Sequence, residues 1–432
     1  MFRVGQEIDL PESGRTARVD RFIGEGGQGS VFEVSFGDGS EPQALKWYFP
    51  ATGTEQQRGA IEGLVRRGPP NSRFLWPVEV VDSDQAPAFG YLMPLRPAEF
   101  VTLASLLKGR VEVRSAIRTT LCRDLAHSFL NLHSQGLCYR DISFANIFLD
   151  PTTGRALICD NDNVAIDDGS PSPVLGTRKF MAPEIVRGEA EPSTVTDLWS
   201  LSVLLFYILV VGHPLLGRRE LEFPNWDEAA EVVLFGEQPV FVFHPSDEGN
   251  RPDPVYHGPM TANWQTLTTR VRELFTATFT DGVFDGHRRV RESIWQRAMA
   301  RLEDSIMVCR RCGAENFFDP RVESMMCWAC ARPLAAPMRL QFPEGRWVAI
   351  SDSTRLWSHH VSRIPNYDFD TLVAEVVRHP EREVWGLKNL GNRPWRVQPP
   401  EGEEVVVEPG RTFGLIPGTT FRFGETEATL EV

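Results

Sequence analysis

Apolar and polar positions alternate along Ala17-Arg18-Val19-Asp20-Arg21-Phe22-Ile23 and along Phe32-Glu33-Val34-Ser35-Phe36, which predicts two strands joined through a glycine-rich turn. Gln43-Ala44-Leu45-Lys46-Trp47-Tyr48 reads as a third strand, apolar except for its lysine. Thr54-Glu55-Gln56-Gln57 has the form of a capping box and opens a helix through Ile61, Leu64 and Val65. Gly90 to Arg96 reads as a strand running into an extended connector. From Ser115 to His133, Ile117, Leu121, Leu125, Phe129 and Leu132 recur at three- and four-residue steps, which predicts an amphipathic helix. Gly154 to Val164 gives another strand. Leu198 to Val211 is a largely apolar stretch of 14 residues, against roughly 20 needed to cross a bilayer, so a buried core helix is expected.

The pattern then changes. Gly217 to Asp304 holds further helices, interrupted by a loop insertion over Pro239 to Pro245 and Asn250 to Pro259. From Met338 to Val432 short strands recur between turns, namely Trp347-Ile350, Glu383-Leu387, Pro394-Val397, Glu404-Val407, Arg411-Leu415 and Thr420-Phe423, the rhythm of an all-β sandwich.

With 432 residues the chain is expected to form more than one domain. A hydrophobic share of 42% beside 24% charged residues places it among soluble globular proteins. The net charge of −13 and pI near 5.3 argue against a general nucleic-acid binder. Met1-Phe2-Arg3-Val4-Gly5-Gln6-Glu7 has no charged start followed by an apolar run, so no signal peptide is expected. Four of the seven cysteines form two close pairs, Cys309/Cys312 and Cys327/Cys330, with 14 residues between the pairs. That is zinc spacing, and it points to a reducing cytoplasm. Cys122, Cys138 and Cys159 lie in apolar segments and read as buried thiols.

The candidate chemistry centres on Tyr139-Arg140-Asp141-Ile142-Ser143-Phe144-Ala145-Asn146. Asp141 and Asn146 stand five residues apart between a helical and a strand-like segment. Such a pair suits phosphoryl transfer, with a carboxylate to accept a hydroxyl proton and an oxygen to hold Mg²⁺; Asp and Asn also populate ordinary turns. Gly24, Gly26 and Gly29 match G-x-G-x-x-G, but strand-forming residues follow, so the loop closes a hairpin that folds down over phosphates. Lys46, inside an apolar strand behind that loop, suits pairing with phosphate. Glu62 and Glu55 share a helix face, and Glu62, beside the core positions, is the expected partner of Lys46. Met93-Pro94-Leu95-Arg96 offers adenine a backbone edge; proline has no N–H, so the donor would be Leu95 or Arg96. Asp160 lies 14 residues past Asn146, and a hairpin of that length brings both side chains to one metal. Asp197, at the mouth of the apolar helix, is suited to holding neighbouring backbone N–H groups.

Taken in order, the glycine loop with Val31, Ala44-Leu45-Lys46, a helix glutamate, Arg140-Asp141…Asn146, Asp160, Ala182-Pro183-Glu184 and Asp197 resemble the eukaryotic-like protein kinase fold over the first three hundred or so positions. The resemblance implies an α+β bilobal domain over 1–304, with an N-lobe of about 1–95 and a C-lobe of about 96–304. It implies Asp141 as catalytic base, Asn146 and Asp160 as Mg²⁺ ligands, and Lys46, held by Glu62, on the α- and β-phosphates of ATP. The nucleotide would be lined by Gly24, Gly26, Gly29, Val31, Ala44, Met93 and Leu95. Glu184 would pair with Arg288 or Arg289. Arg140 would order a phosphorylated activation segment, with Ser170, Ser172 and Thr177 as candidates; Thr177 is alternatively a residue that shapes the substrate cleft.

In detail the chain is similar to stress-associated bacterial kinases, including those linked with tellurium-resistance loci, which accompany a von Willebrand A-type protein and a metal-dependent phosphatase. It departs from the family at Tyr139, usually His; at Ser143, usually a Lys that touches the γ-phosphate; and at Asn161-Asp162, which replace Phe-Gly and offer a second acidic ligand. Residues 305–337 are expected to form a zinc ribbon on Cys309, Cys312, Cys327 and Cys330. Residues 338–432 resemble a forkhead-associated (FHA) domain in strand rhythm, with Ser358-His359-His360-Val361-Ser362-Arg363 only a distant echo of the phosphothreonine-reading series. The expected whole is a cytoplasmic Ser/Thr protein kinase acting on protein substrates with ATP, Mg²⁺ and Zn²⁺, without membrane or nucleic-acid partners. A nucleotide-binding pseudokinase scaffold is the reading of a different class.

Overall fold

The computed structural model describes residues 2–10, 13–84, 86–363, 367–379 and 384–432. Chain contacts divide it into two units, 1–113 with 117–264 and 273–296, and 114–116 with 265–272 and 297–432.

The first unit begins with an antiparallel sheet of β1 (Glu7–Leu10), β2 (Arg15–Glu25), β3 (Gly29–Phe36), β4 (Gln43–Tyr48), β5 (Glu79–Val81) and β6 (Gly90–Pro94), in the order β1-β2-β3-β4-β6-β5. Alternation decides which side each residue takes. Ala17, Val19, Phe32, Val34, Leu45, Trp47 and Leu92 share one core with Phe2 and Ile8. Helix α1 (Glu55–Arg67) lies between β4 and β5 in sequence and buries Ile61 and Leu64. Its N-cap is Thr54, whose side chain accepts from the Gln57 backbone N–H at 3.2 Å. The expected reciprocal half of the box is not made, because the Gln57 carboxamide reaches elsewhere.

The helical part of this unit includes α2 (Leu103–Leu107), α3 (Ser115–His133), α4 (Pro183–Val186) and α5 (Thr194–Val210). Along α3, Leu121, Leu125, Phe129 and Leu132 are buried, as their spacing requires. Helix α5 is apolar on nearly every side and buried accordingly. Among the described residues no helix is long and apolar enough to cross a membrane. Around Phe206 gather Phe241, Phe243, Trp264, Phe275 and Phe279, with ring centroids 5.2–6.4 Å away. Residues 239–245 are therefore more than an insertion: Phe241 and Val242 are fully buried and complete the core around α5.

In the second unit, short hairpins pair Ile306–Val308 with Glu315–Phe317 and Met325–Met326 with Pro333–Leu334. Beyond them lie a six-stranded and a four-stranded sheet. Leu340, Val397, Phe421 and Leu430 of the first meet Leu356, Ala374, Val376 and Leu387 of the second in one core, so the β-rich region is a sandwich. Four of its strands were not anticipated: Arg339–Gln341, Arg355–Trp357, Leu372–Arg378 and Thr426–Glu431. The strand expected from Glu383 begins at Trp385; Glu383 lies outside the described residues.

Candidate active site

Cross-strand register assembles one wall of the site. Val31 pairs with Lys46, Lys46 with Tyr91, and Ala44 with Met93. Directly paired and alternate residues share a face, so Val31, Ala44, Lys46 and Met93 lie together, under the loop between β2 and β3. Leu95 follows β6, past Pro94. Within the loop, the Gly26 N–H donates to the Gly29 carbonyl at 2.9 Å. A side chain at Gly29 would begin 2.2 Å from the Trp47 carbonyl oxygen, whereas one at Gly24 or Gly26 would meet nothing within 4 Å. Gly29 is thus demanded by the sheet, and Gly24 and Gly26 leave open room that suits a phosphate chain.

Lys46 is buried. Its Nζ lies 2.7 Å from Asp162 Oδ2 and 3.6 Å from Asp160 Oδ1. Burial alone would pull the ammonium down; the two carboxylates outweigh it and hold Lys46 above its ordinary value. Asp162 Oδ2 also accepts from Tyr48 Oη at 2.5 Å, and Gln57 Nε2 donates to Tyr48 Oη and to the Asp162 carbonyl, both at 3.1 Å. The expected Glu62–Lys46 pair is corrected by this arrangement. Glu62 faces Arg58 at 3.2 Å and Arg66 at 3.9 Å. Gln57 and Glu62 are five residues apart, roughly 140° around a helix of about 3.6 residues per turn. With Gln57 turned to the site, Glu62 is turned away.

Asp141 is held from two sides. The Thr177 backbone N–H and Oγ1 each donate to its Oδ1 at 2.8 Å, and Asn146 Nδ2 donates to its Oδ2 at 3.1 Å and to its carbonyl at 2.9 Å. The Asn146 amide nitrogen is committed to Asp141, which leaves its Oδ1 as the atom able to ligate a cation. Asp160, in the left-handed region at φ 52°, is half exposed, and its carboxylate is open to such an ion. Asn161 is buried and donates to the Leu75 and Ile158 carbonyls at 2.9 and 3.0 Å, so it locks the segment into the core. The Ser143 hydroxyl is buried without a partner among the described residues.

Support for the loop comes from far along the chain. Asp197 accepts from the Tyr139 N–H at 2.5 Å, the Arg140 N–H at 3.1 Å and His133 Nε2 at 3.1 Å. Tyr139 is buried, and its hydroxyl donates to the Cys159 carbonyl. Glu184 meets Arg289 in a bidentate pair, both contacts 2.7 Å, while Arg288 goes to Asp281. Gly176, at φ 101°, passes so close to the catalytic loop that a Cβ would sit 2.7 Å from the Arg140 carbonyl oxygen. Ser170 and Thr177 are exposed; the Ser172 hydroxyl donates to the Val174 carbonyl at 2.7 Å. Arg67 and Arg140 line a cavity of about 750 Å³ between α1 and residues 162–174.

In the second unit, the sulfurs of Cys309, Cys312, Cys327 and Cys330 lie within 4.8 Å of one another. Cys309–Cys330 is 3.8 Å and Cys312–Cys327 3.6 Å. Four thiolates at the Zn–S distance of about 2.3 Å occupy tetrahedral corners about 3.8 Å apart, so the set fits zinc. Burial would raise the Cys327 thiol, but the backbone N–H groups of Cys330 and Ala329 bring it down to about 6, toward the thiolate a metal needs.

Sequence reasoning missed Asp162, Tyr48 and Gln57 as the surroundings of Lys46. The signal is an acid where the family has glycine, which by sequence reads as a metal ligand.

The family model "Protein kinase domain" matches residues 17–240, just over half of the chain. Similar proteins include Glycogen synthase kinase 1 of Pyricularia oryzae, 35% identical over 104 residues, covering 24% of this chain and 25% of the relative. Serine/threonine-protein kinase SCH9 of Candida albicans is 29% identical over 200 residues, 43% of this chain and 24% of that protein. Protein kinase C delta type of Mus musculus is 34% identical over 119 residues, 27% and 17% respectively. The chain thus spans a quarter or less of the length of these three relatives. With a matched region that holds Lys46, the Asp141–Asn146 pair and Asp160 within one site, the chain belongs to the protein kinase domain family.

Proposed function

We propose that this chain is an ATP-dependent Ser/Thr protein kinase. The observation that carries the proposal is the Asp141 carboxylate, fixed between Asn146 and Thr177 at 2.8–3.1 Å, in the same site as Lys46 and Asp160. Asp141 is set to accept the proton of a serine or threonine hydroxyl as that oxygen attacks. Asn146 Oδ1 and the Asp160 carboxylate would hold Mg²⁺, which when bound with ATP neutralises charge on the transferring phosphate. Lys46 supplies a positive charge to the phosphates, and Gly24 and Gly26 give them room. Thr177, bonded to Asp141, shapes the substrate side of the cleft.

The buried Ser143 favours a second reading. At the position where the family carries a lysine, no cation reaches toward the γ-phosphate, which is what a nucleotide-binding pseudokinase scaffold would have. Incubating the protein with Mg-ATP and following phosphate on Ser and Thr separates the two. The expected result is autophosphorylation that Asp141→Ala abolishes while ATP still binds. Equal phosphorylation by wild type and Asp141→Ala would sink the kinase assignment.

The tail is read as a zinc ribbon over 305–337, on Cys309, Cys312, Cys327 and Cys330, and an FHA-like sandwich over 338–432. The sulfur spacing supports the first and the shared core of two sheets the second. The sandwich is assigned to protein docking without phosphate, since Ser358–Val361 forms a helical turn whose His360 pairs with Asp304 at 2.8 Å. Stress signalling in a bacterial cytoplasm, beside a metal-dependent phosphatase and a von Willebrand A-type protein, is the setting that the detailed sequence resemblance supports.

A further inference from the structure

The cation of this site has an unusual neighbourhood. Lys46 is within ion-pair distance of two carboxylates, and neither comes from α1. They are not equivalent. Asp160 is 3.6 Å away and half exposed, placed to serve a metal ion. Asp162 is 2.7 Å away, and its side chain has no exposure at all.

We infer that Asp162 positions Lys46 for the phosphates, with Tyr48 and Gln57 as its support, in the role first expected of Glu62. The inference rests on the kinase reading for its functional meaning and on geometry for its content. Asp162 Oδ2 is gripped by Tyr48 Oη at 2.5 Å as well as by Lys46 Nζ. The phenol lacks freedom of its own, because Gln57 Nε2 donates to it at 3.1 Å and to the Asp162 carbonyl at the same distance. The Gln28 carboxamide adds Lys46 Nζ at 3.5 Å and Asn163 Oδ1 at 3.2 Å. Asn161, tied to the carbonyls of Leu75 and Ile158, fixes the backbone from which Asp162 projects. A buried carboxylate in such a network keeps a long, rotamer-rich lysine side chain in one position before the phosphates arrive. Helix α1 contributes a neutral amide instead of a charge, so its attachment to the site is a hydrogen bond and not an ion pair.

The test uses the full chain and measures affinity rather than turnover. Adenosine and Mg-ATP are titrated calorimetrically against wild type, Asp162→Asn and Glu62→Gln. Adenosine has no phosphate for Lys46 to reach, so Asp162→Asn should keep its adenosine affinity and lose about tenfold toward Mg-ATP, the scale of one charge-assisted hydrogen bond. Glu62→Gln should match wild type with both. Tyr48→Phe, which leaves the carboxylate in place but removes its brace, should lose about threefold toward Mg-ATP alone. It decides the matter should Asp162→Asn fail to fold; Tyr48→Phe at wild-type affinity would then overturn the assignment. Wild-type Mg-ATP affinity in Asp162→Asn, an equal loss toward adenosine, or the loss appearing in Glu62→Gln would do the same. So would recovery of Asp162→Asn at high Mg²⁺, which would make Asp162 a metal ligand. A protein that binds in the expected pattern yet transfers no phosphate refutes the kinase reading and leaves the Asp162 anchor standing.

Discussion

His133 joins Glu292 to Asp197, the carboxylate that holds the 139–140 backbone, and its titration should be visible in the stability of the protein. It is buried between Asp197, 3.1 Å from its Nε2, and Glu292 on its Nδ1 side. Burial alone would lower the imidazole; the two carboxylates reverse that and raise it to about 9, from an ordinary 6.5. At about 1.4 kcal/mol for each unit, the folded state holds this proton more tightly by about 3 kcal/mol. Below about pH 6.5 both folded and unfolded chains carry the proton, and the whole stabilisation is present. Between there and about 9 only the folded state keeps it, so stability falls as pH rises, and above about 9 the contribution is gone. Other groups titrate over the same range, so the comparison is with His133→Gln, which keeps a polar side chain of similar reach without the proton. In a unit of this size about 3 kcal/mol corresponds to roughly 5–10 °C in melting temperature. The advantage of wild type over His133→Gln, followed by scanning calorimetry from about pH 6 to about pH 10, should shrink by that amount. An advantage that stays constant, or grows, would show that the imidazole is not held as a cation.

Gly29→Ala places a methyl 2.2 Å from the Trp47 carbonyl oxygen and 3.0 Å from Tyr48 Cα, both backbone, so β3 and β4 must part. Thermal melts should show a loss of about 1–3 kcal/mol, whereas Gly26→Ala, open on all sides, should melt like wild type. Removing zinc with a chelator, or changing Cys327→Ser, should lower metal content measured by atomic absorption and expose residues 306–334 to protease. A segment of short hairpins has little core of its own, so unchanged protease resistance after chelation would exclude a structural zinc.

Where one element's own pattern decided its fate, the sequence was readable. Leu121, Leu125 and Phe129 announce α3, and the largely apolar 14-residue run from Leu198 announces a helix too short for a membrane and too greasy for a surface. Partners within the site were harder. Glu62 looked like the lysine's companion because it adjoins Ile61, yet the side chain that enters the site is Gln57, and only the rotation of α1 about its axis tells them apart. Asp162 was equally hidden: standing where the family has glycine it reads as a second acidic metal ligand, until the fold buries it with Asn161. Leu372-Val373-Ala374-Glu375-Val376-Val377-Arg378 escaped notice as a strand, since Ala and Glu interrupt its β-branched residues. Its neighbours Arg355–Trp357 and Trp385–Asn389 supply the pairing that local composition does not.

Asp197 stands 58 residues beyond Tyr139 and 57 beyond Arg140, the two peptide groups it gathers. Asp141 is therefore made before the residue that gives its loop a shape. A nascent chain that has emerged only as far as Asp160 carries Lys46, Asp141, Asn146 and Asp160, but the hydrogen-bond acceptor that bends 139–140 has not yet been synthesised. The shape of this loop thus waits on α5, and on the kinase reading proposed above a chain translated only that far would lack it.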